Sequence, residues 1–268
     1  MNLKAARVIG MFTLIILLGS SSAYAKPVQK NRQYYEERGE IVWEVPTQDK
    51  LIALTFDDGP DPIQTPQILA LLQQYHAKGT FFVLGKWADK FPKLIKQEQL
   101  EGHEIANHTY AHTYAVRSTS ADKYMKDMNE AESSIIQAGA ERPLLFRPPG
   151  GYYNDMVIQA AKQKGYTIVL WSWHQDTRDW ASPGVSAIVK KVLNNARNGD
   201  IVLFHDKVEG KSHTVAALKT ILPKLQQQGY QFVTVSELLA VKAREAAKDG
   251  TSPSSILKHV QPEHGQSK

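Results

Sequence analysis

The 268-residue sequence contains no cysteine. Disulfide bridges, thiolate metal ligands and cysteine nucleophiles are therefore excluded, and stability must come from a packed core. Long apolar runs are lacking as well, since the run from Val8 to Leu18 is too short to span a bilayer comfortably. Neither sign of charge dominates strongly, with 32 basic and 27 acidic residues. This mild excess does not indicate a nucleic-acid partner.

The first residues have the pattern of an export signal. Lys4 and Arg7 precede the apolar run, and Ala23-Tyr24-Ala25 supplies the small-x-small pattern expected before a cleavage site. We therefore expect residues 1–25 to be a signal peptide, whose removal lowers the formal charge from +5 to +3. An uncleaved membrane anchor is the alternative. The mature protein is expected to be secreted or cell-wall associated, without a stable membrane anchor.

The rest of the chain alternates between strand-like and helix-like stretches. Apolar runs predict strands over residues 51–56, 80–83, 103–107, 144–146, 167–172, 200–204 and 231–235. Helical apolar spacing, with Pro at several starts and Gly after most ends, predicts helices over residues 66–75, 92–100, 121–137, 155–164, 185–196, 215–228 and 237–246. This alternation predicts an α/β fold with a parallel sheet, closed or open.

The same pattern suggests how the chain is divided. The alternation runs without an interdomain linker through residues 51–246, which we interpret as one domain. Residues 26–50 are polar, with Trp43 and Val45 near their end, and are predicted to be an irregular lead-in or a covering strand. Residues 247–268 are rich in Gly, Ser, Pro and charge, and are predicted to be a mobile tail.

Side chains suited to acid–base and metal chemistry follow directly after the predicted strands. Five strand ends carry such residues, namely Asp57 and Asp58, His108 and His112, Arg147, Asp176 and Asp179, and His205. In a barrel of parallel strands the active site is built from loops at the C-terminal face. We therefore expect these residues to meet there.

Two of these segments together indicate a metal site. Thr55-Phe56-Asp57-Asp58-Gly59-Pro60 supplies two adjacent carboxylates, and His108-Thr109-Tyr110-Ala111-His112 supplies two histidines. Two imidazoles and one carboxylate leave a divalent cation an open position for water, as in catalytic zinc sites, and the second carboxylate is free to act as a base. Paired acids elsewhere are usually solvated surface charge. The remaining histidines are interpreted as core or surface residues: His76, His103, His174, His213, His259 and His264.

The segments resemble five motifs of the polysaccharide deacetylases of carbohydrate esterase family 4, the NodB-type deacetylases. The resemblance extends over about residues 51–239. It implies a single distorted (β/α) barrel, expected to be seven-stranded, with the active site at the C-terminal ends of the strands. In the first two motifs it makes Asp57 the catalytic base and Asp58, His108 and His112 the metal ligands.

The third motif, Phe146-Arg147-Pro148-Pro149-Gly150, resembles the segment whose arginine pairs with the catalytic aspartate. A guanidinium at Arg147 would keep Asp57 ionised and oriented. The resemblance assigns the backbone amide of Gly150 to the oxyanion hole. Many relatives carry a larger residue at this position, so a wider groove is expected here, lined instead by Tyr152 or Tyr153.

The fourth and fifth motifs are Asp176-Thr177-Arg178-Asp179-Trp180 and Leu203-Phe204-His205. By resemblance His205 is the general acid, and Asp179 orients it and raises its pKa. Trp180 and Leu203 would wall the pocket for the acetyl methyl group. A core position for Trp180 is the alternative.

The activity implied by the resemblance is metal-dependent hydrolysis of N-acetyl groups from N-acetylglucosamine or N-acetylmuramic acid units of a cell-wall glycan. One divalent ion is expected, with zinc first and cobalt, nickel or manganese as alternatives. The expected partner is the glycan. Chitooligosaccharide deacetylase, acetylxylan esterase and a glycan-binding module without catalysis are the alternative functions.

Overall fold

The computed structural model describes residues 30–116 and 118–248. The predicted signal peptide lies outside the described residues, and so does the predicted tail except for residues 247 and 248. Those two residues continue the last helix, which therefore ends later than the predicted residue 246.

The described residues contain eight parallel strands in one curled sheet. Seven strands form a continuous path in the order β1-β6-β5-β4-β3-β2-β7, and β8 pairs separately with β2. The prediction of a single seven-stranded distorted (β/α) barrel is confirmed. The strands are β1 (Ile41–Val42), β2 (Leu51–Asp57), β3 (Gly79–Val83), β4 (Glu104–Asn107), β5 (Leu145–Phe146), β6 (Thr167–Val169), β7 (Asp200–His205) and β8 (Gln231–Phe232).

Helices connect and cover the strands. Helix α6 shows how sequence sets their ends: Asn154 caps its first turn by accepting a hydrogen bond from the Val157 amide, and Gly165 ends it at a φ of 68°. In the described part of the chain, no helix combines the length and apolar character needed to cross a bilayer. The helices are α1 (Arg32–Glu37), α2 (Gln64–Gln74), α3 (Gly85–Lys90), α4 (Pro92–Leu100), α5 (Ala121–Gln137), α6 (Asp155–Lys164), α7 (Val185–Leu193), α8 (Thr214–Gln227) and α9 (Val235–Lys248).

The core lies on both faces of the central strands. All seven residues of β2 are buried, as expected for a parallel strand covered on both sides. The Phe56 ring stacks between Phe81 of β3 and Phe204 of β7, with ring centroids 4.9 and 5.8 Å apart. This packing fixes the ends of β2 and β7 relative to each other, and the candidate site begins at those ends.

The lead-in forms the strand that the sequence left open, and several short elements differ from the sequence prediction. The strand at the start of the seven-strand path comes from the lead-in: β1 pairs with β6 through Ile41 and Ile168, and Trp43 beside it is buried. The strand predicted over 231–235 is only two residues long. Two short helices, α1 and α3, were not predicted, because six residues each are too few to show a helical apolar period.

Candidate active site

The candidate metal ligands follow two strands that flank β3. Asp58 comes directly after β2 and has a φ of 76°, and its backbone amide donates to the Phe82 carbonyl of β3. His108 comes directly after β4, and its amide donates to the Val83 carbonyl of the same strand. Both loops are thus anchored on β3, so the parallel sheet brings their side chains to one edge.

The three candidate ligands lie close together. Asp58 Oδ1 is 3.4 Å from His108 Nε2 and 3.2 Å from His112 Nε2. His108 Nδ1 lies 2.7 Å from the carbonyl oxygen of Arg147. A carbonyl oxygen only accepts, so Nδ1 carries the proton and the Nε2 lone pair faces Asp58. Such an outer hydrogen bond fixes the tautomer of metal-binding histidines.

The chemistry of this cluster fits a divalent cation. Asp58 Oδ1 is buried without a hydrogen-bond partner in the described structure. Burial alone would raise the pKa of Asp58, but the nearby histidines, His108 first and then His205 and His112, together outweigh burial and lower that pKa to about 2. An ionised carboxylate beside two imidazoles is a typical ligand set for zinc and similar ions, and it leaves room for water.

The histidine loop is a tight turn and not a turn of helix. Thr109 and His112 have φ values of 69° and 64°. The Asn107 side chain holds the turn, because its Oδ1 accepts from the Thr109 amide at 2.8 Å while its Nδ2 donates to the Met128 carbonyl at 2.9 Å. Asn107 is therefore a positioning residue of the site that was not among the predicted ones. Its position before His108, at the end of a strand, was the available signal.

The Asp57 carboxylate is paired with a buried arginine. Arg147 Nη1 donates to Asp57 Oδ1 at 2.6 Å and to Thr55 Oγ1 at 2.9 Å. The other guanidinium nitrogens donate to the carbonyls of Val169 and Leu170 at 3.0 and 2.8 Å. The Arg147 side chain has no exposed surface. Among the residues that the structure describes, Asp57 is the carboxylate paired with this charge, and the guanidinium is also held by a hydroxyl and two carbonyl acceptors.

His205 is held by a second buried carboxylate. Its Nδ1 lies 2.7 Å from Asp179 Oδ1, and its backbone amide donates to Asp179 Oδ2 at 2.8 Å. The Thr214 hydroxyl also donates to Asp179 Oδ2, at 2.6 Å, a contact that no local sequence pattern indicates because the two residues are 35 positions apart. Burial alone would lower the pKa of His205, but the hydrogen bond and charge of Asp179 raise it to about 9. The imidazole is therefore protonated at neutral pH.

These groups surround a cavity of about 960 Å³. Arg147 and Asp179 lie behind its wall, where they contact Asp57 and His205. Trp180 is 52% exposed, so it is a wall residue and not a core residue, while Leu203 is almost fully buried. The predicted site residues that line the cavity are Asp57, Asp58, His108, His112, Gly150, Trp180, Leu203 and His205.

The space beside Gly150 is filled by an aromatic side chain. Gly150 has a φ of 64°, and a Cβ placed on it would lie 2.9 Å from the Tyr152 ring and 3.0 Å from the Tyr114 ring. Tyr152 lines the cavity, whereas Tyr153 packs in the core against Tyr35. The Tyr152 side chain therefore occupies part of the wider groove that was expected beside Gly150.

A buried acid beneath the site was missed by the sequence analysis. Asp206 is 1% exposed; its Oδ2 accepts from the Thr65 hydroxyl at 2.6 Å, and its backbone amide donates to the Asp57 carbonyl. A Cβ on Gly59 would lie 2.0 Å from Asp206 Oδ2. Burial raises the pKa of Asp206 to about 7. Its position directly after His205, at a strand end, was the signal that could have identified it.

Two other histidines, His103 and His174, contact groups outside the candidate site. His103 is buried, and its Nδ1 accepts from the Gly79 amide at 3.1 Å. His174 Nε2 lies 2.8 Å from Asp200 Oδ1, near Glu44. The carboxylate of Glu44 is already paired with Arg32 at 2.8 Å. His259 and His264 lie outside the described residues.

Comparison with known proteins identifies the family. Residues 44–169 match the family described as polysaccharide deacetylase. A peptidoglycan-N-acetylglucosamine deacetylase of Bacillus cereus is 54% identical over 211 residues, covering 79% of this chain and 98% of the relative. The crystal structure of the Bc1960 peptidoglycan N-acetylglucosamine deacetylase with an N-hydroxybenzamide ligand is similar at a TM-score of 0.72 and 35% identity, covering 76% of this chain and 94% of that one.

The solved structures that are similar to this chain also include an esterase. A family 4 acetyl xylan esterase from Clostridium thermocellum, solved with a cobalt ion, has a TM-score of 0.67 and 30% identity, covering 77% of this chain and 96% of that one. Deacetylases of this kind depend on a metal, and the chain has a candidate site for one in Asp58, His108 and His112. From its motifs, its barrel and these similarities, the chain belongs to the polysaccharide deacetylase family, carbohydrate esterase family 4.

Proposed function

We propose that this protein removes N-acetyl groups from N-acetylglucosamine units of peptidoglycan and releases acetate. The observation that carries the proposal is the placement of an Asp-His-His ligand set next to a separate carboxylate. Asp57 Oδ2 is 3.8 Å from His108 Nε2, while Asp58 Oδ1 lies between the two histidines. One acid is thus available for the metal and the other for proton transfer.

In the proposed reaction each charged residue has a separate task. Asp58, His108 and His112 would hold a divalent cation, whose chemistry is Lewis-acid activation of water and of the acetyl carbonyl. Asp57, oriented by Arg147, accepts the proton of the attacking water. The Gly150 amide donates to the oxyanion that develops on the carbonyl. His205, protonated through its contact with Asp179, donates a proton to the leaving amine, so that acetate and a glucosamine unit separate.

The substrate proposal rests on the relatives. Two of them are named as deacetylases of N-acetylglucosamine in peptidoglycan, and one of these is 54% identical to this chain. For the metal we propose zinc, because two imidazoles and a carboxylate suit it. We also propose that residues 1–25 direct export, that residues 51–246 form the deacetylase domain with residues 26–50 as its lead-in, and that the protein acts outside the cytoplasm.

One relative supports a second candidate function. The similar acetyl xylan esterase acts by name on an ester, and the same base, acid and oxyanion contacts serve esters and amides.

N-acetylmuramic acid is the alternative sugar within peptidoglycan. Chitin oligosaccharides are the alternative glycan, since they share the N-acetylglucosamine unit.

The first experiment measures acetate release by the metal-loaded full chain. The substrates are peptidoglycan, N-acetylglucosamine pentamer and acetylated xylan, with mass spectrometry locating the deacetylated sugar. Asp57→Asn and His108→Ala are the controls. We expect release from the two N-acetyl substrates, on glucosamine units, and none with either variant. Release from xylan alone would make the protein an esterase, and failure on all three would leave a glycan-binding module.

A further inference from the structure

Three ammonium groups surround one indole ring at the edge of the cavity. Lys86 and Lys90 of α3 lie with their Nζ atoms 5.5 and 5.2 Å from the Trp87 ring centroid, and Lys207, which follows β7, lies 4.6 Å from it. Lys86, Trp87 and Lys207 line the same cavity as the catalytic candidates. We call these four residues, Lys86, Trp87, Lys90 and Lys207, the basic patch.

The patch is fixed relative to the metal cluster. The backbone amide of Gly85 donates to the Thr109 carbonyl at 3.0 Å, and that of Lys86 donates to the Tyr110 carbonyl at 3.2 Å. Both acceptors belong to the histidine loop. Gly85 also lets α3 pack closely on α5, because a Cβ there would lie 2.7 Å from Ala131 Cα. Helix α3, which carries Lys86 and Lys90, therefore has a set position beside the site.

The positive charge of the patch is only partly compensated. Asp61 pairs with Lys207 at 3.2 Å. Among the residues that the structure describes, no carboxylate lies within 4 Å of the ammonium groups of Lys86 or Lys90. Asp89 of α3 lines a different groove with Tyr110, while Asp176 and the exposed Glu209, two residues after Lys207, line the same cavity as the patch. Each ammonium group is stabilised by its contact with the indole ring, but the three positive charges repel one another. An anion bound beside Trp87 would relieve this repulsion and would itself be stabilised.

We infer that the basic patch binds a carboxylate of the glycan substrate, carried by the sugar next to the one that is deacetylated. This inference rests on the proposed function. In peptidoglycan the neighbouring muramic acid carries either a free lactyl carboxylate or a stem peptide with carboxylates of its own, whereas chitin is neutral. The patch would therefore make the enzyme prefer peptidoglycan over chitin of equal length.

The test compares kcat/KM on three tetrasaccharides: a neutral N-acetylglucosamine tetramer, a peptide-free peptidoglycan fragment and a fragment with stem peptides. The variant is Lys86→Gln/Lys90→Gln. Lys219→Gln, exposed on α8 away from the cavity, is the matched control for a lost lysine. We expect the double variant to lower the ratio of charged to neutral kcat/KM about three- to tenfold, because each exposed ion pair contributes only modestly and two of them are removed. The control should leave the ratio unchanged.

The possible outcomes distinguish the lactyl carboxylate from the stem peptide, and they distinguish failure of this inference from failure of the proposed function. A loss confined to the peptide-free fragment identifies the lactyl carboxylate, and a loss confined to the peptide-bearing fragment identifies the stem peptide. An unchanged ratio overturns the inference. If the unaltered protein releases acetate from none of the three, the proposed function fails, and the inference is then decided by calorimetric affinities for the same fragments. Unequal affinity that disappears in the double variant supports it, and equal affinity overturns it.

Discussion

Asp57 and His205 are register partners at the carboxyl ends of adjacent parallel strands. Neighbouring strands lie about 4.8 Å apart, and register partners present their side chains on the same face of the sheet. The proposed base and the proposed acid therefore approach a bound acetyl group from adjacent positions. Behind each of them lies a buried partner of opposite charge, Arg147 for the carboxylate and Asp179 for the imidazole.

Asp179→Asn tests the origin of the acidity of His205. Asp179 raises the pKa of His205 to about 9, so the unaltered enzyme should keep a protonated acid at neutral pH and lose activity as pH rises through about 9. Without the carboxylate charge, the pKa should fall toward the ordinary histidine value of about 6.5. We expect the alkaline limb of the kcat profile to move down by at least about one pH unit. An unmoved limb would assign that limb to another group.

Loss of one imidazole should abolish metal binding. His112→Ala removes a ligand atom 3.2 Å from Asp58 Oδ1, and a two-ligand remnant binds divalent ions weakly. We expect bound zinc, measured by elemental mass spectrometry, to fall from about one equivalent to near zero. His76→Asn, at an exposed histidine, is the control and should keep its metal. A chelator should abolish acetate release by the unaltered enzyme, and added zinc or cobalt should restore it.

Removal of the Arg147 guanidinium should destabilise the fold. Arg147→Met leaves the buried Asp57 carboxylate without its ion pair and leaves three acceptors unpaired. Breaking a buried pair in this way costs about 3 to 5 kcal/mol. Urea unfolding should show this loss, whereas Arg244→Met, at an exposed arginine of α9, should change the free energy of unfolding by less than about 0.5 kcal/mol. Equal effects of the two substitutions would contradict the role of the pair.

Gly59→Ala should displace Asp206 or the turn that carries Asp58. The new Cβ would lie 2.0 Å from Asp206 Oδ2, and alanine has no alternative rotamer that could remove this steric overlap. We expect a loss of stability of about 2 kcal/mol or more. Gly210→Ala is the control, because its φ is 84° but nothing lies within 4 Å, so only backbone strain of roughly 1 to 2 kcal/mol applies. If steric overlap is the cause, Asp206→Ala should recover part of the loss in the double variant.

The sequence predicted the parts of the site that each lie within one short segment. Asp57 and Asp58 share one strand end, and His108 and His112 share one loop, so an apolar run followed by polar residues was enough to place them. The predicted helix over 121–137 is correct for a similar reason: Ser120 caps its start, and the apolar spacing persists over many turns. These signals are local.

The features that the sequence did not predict depend on contacts between distant segments. The two residues of β1 become a strand only because β6 offers a free edge, and no period can be read from so short a run. Thr214 reaches Asp179 across 35 positions of sequence. The Tyr152 ring fills the space beside Gly150 through the path of its loop, which residue type alone does not determine.

The position of β2 within the sheet has a consequence for how the protein loses activity. It pairs with β7, with β3 and, at its first residues, with β8. In the described part of the chain, β1 pairs only with β6. Local fraying at that outer strand can therefore open and close without disturbing Asp57 and Asp58, and the amides of β2 should exchange with solvent only through global opening. Heat inactivation and global unfolding should accordingly follow one transition, because the proposed base Asp57 ends this multiply paired strand and the candidate ligand Asp58 directly follows it.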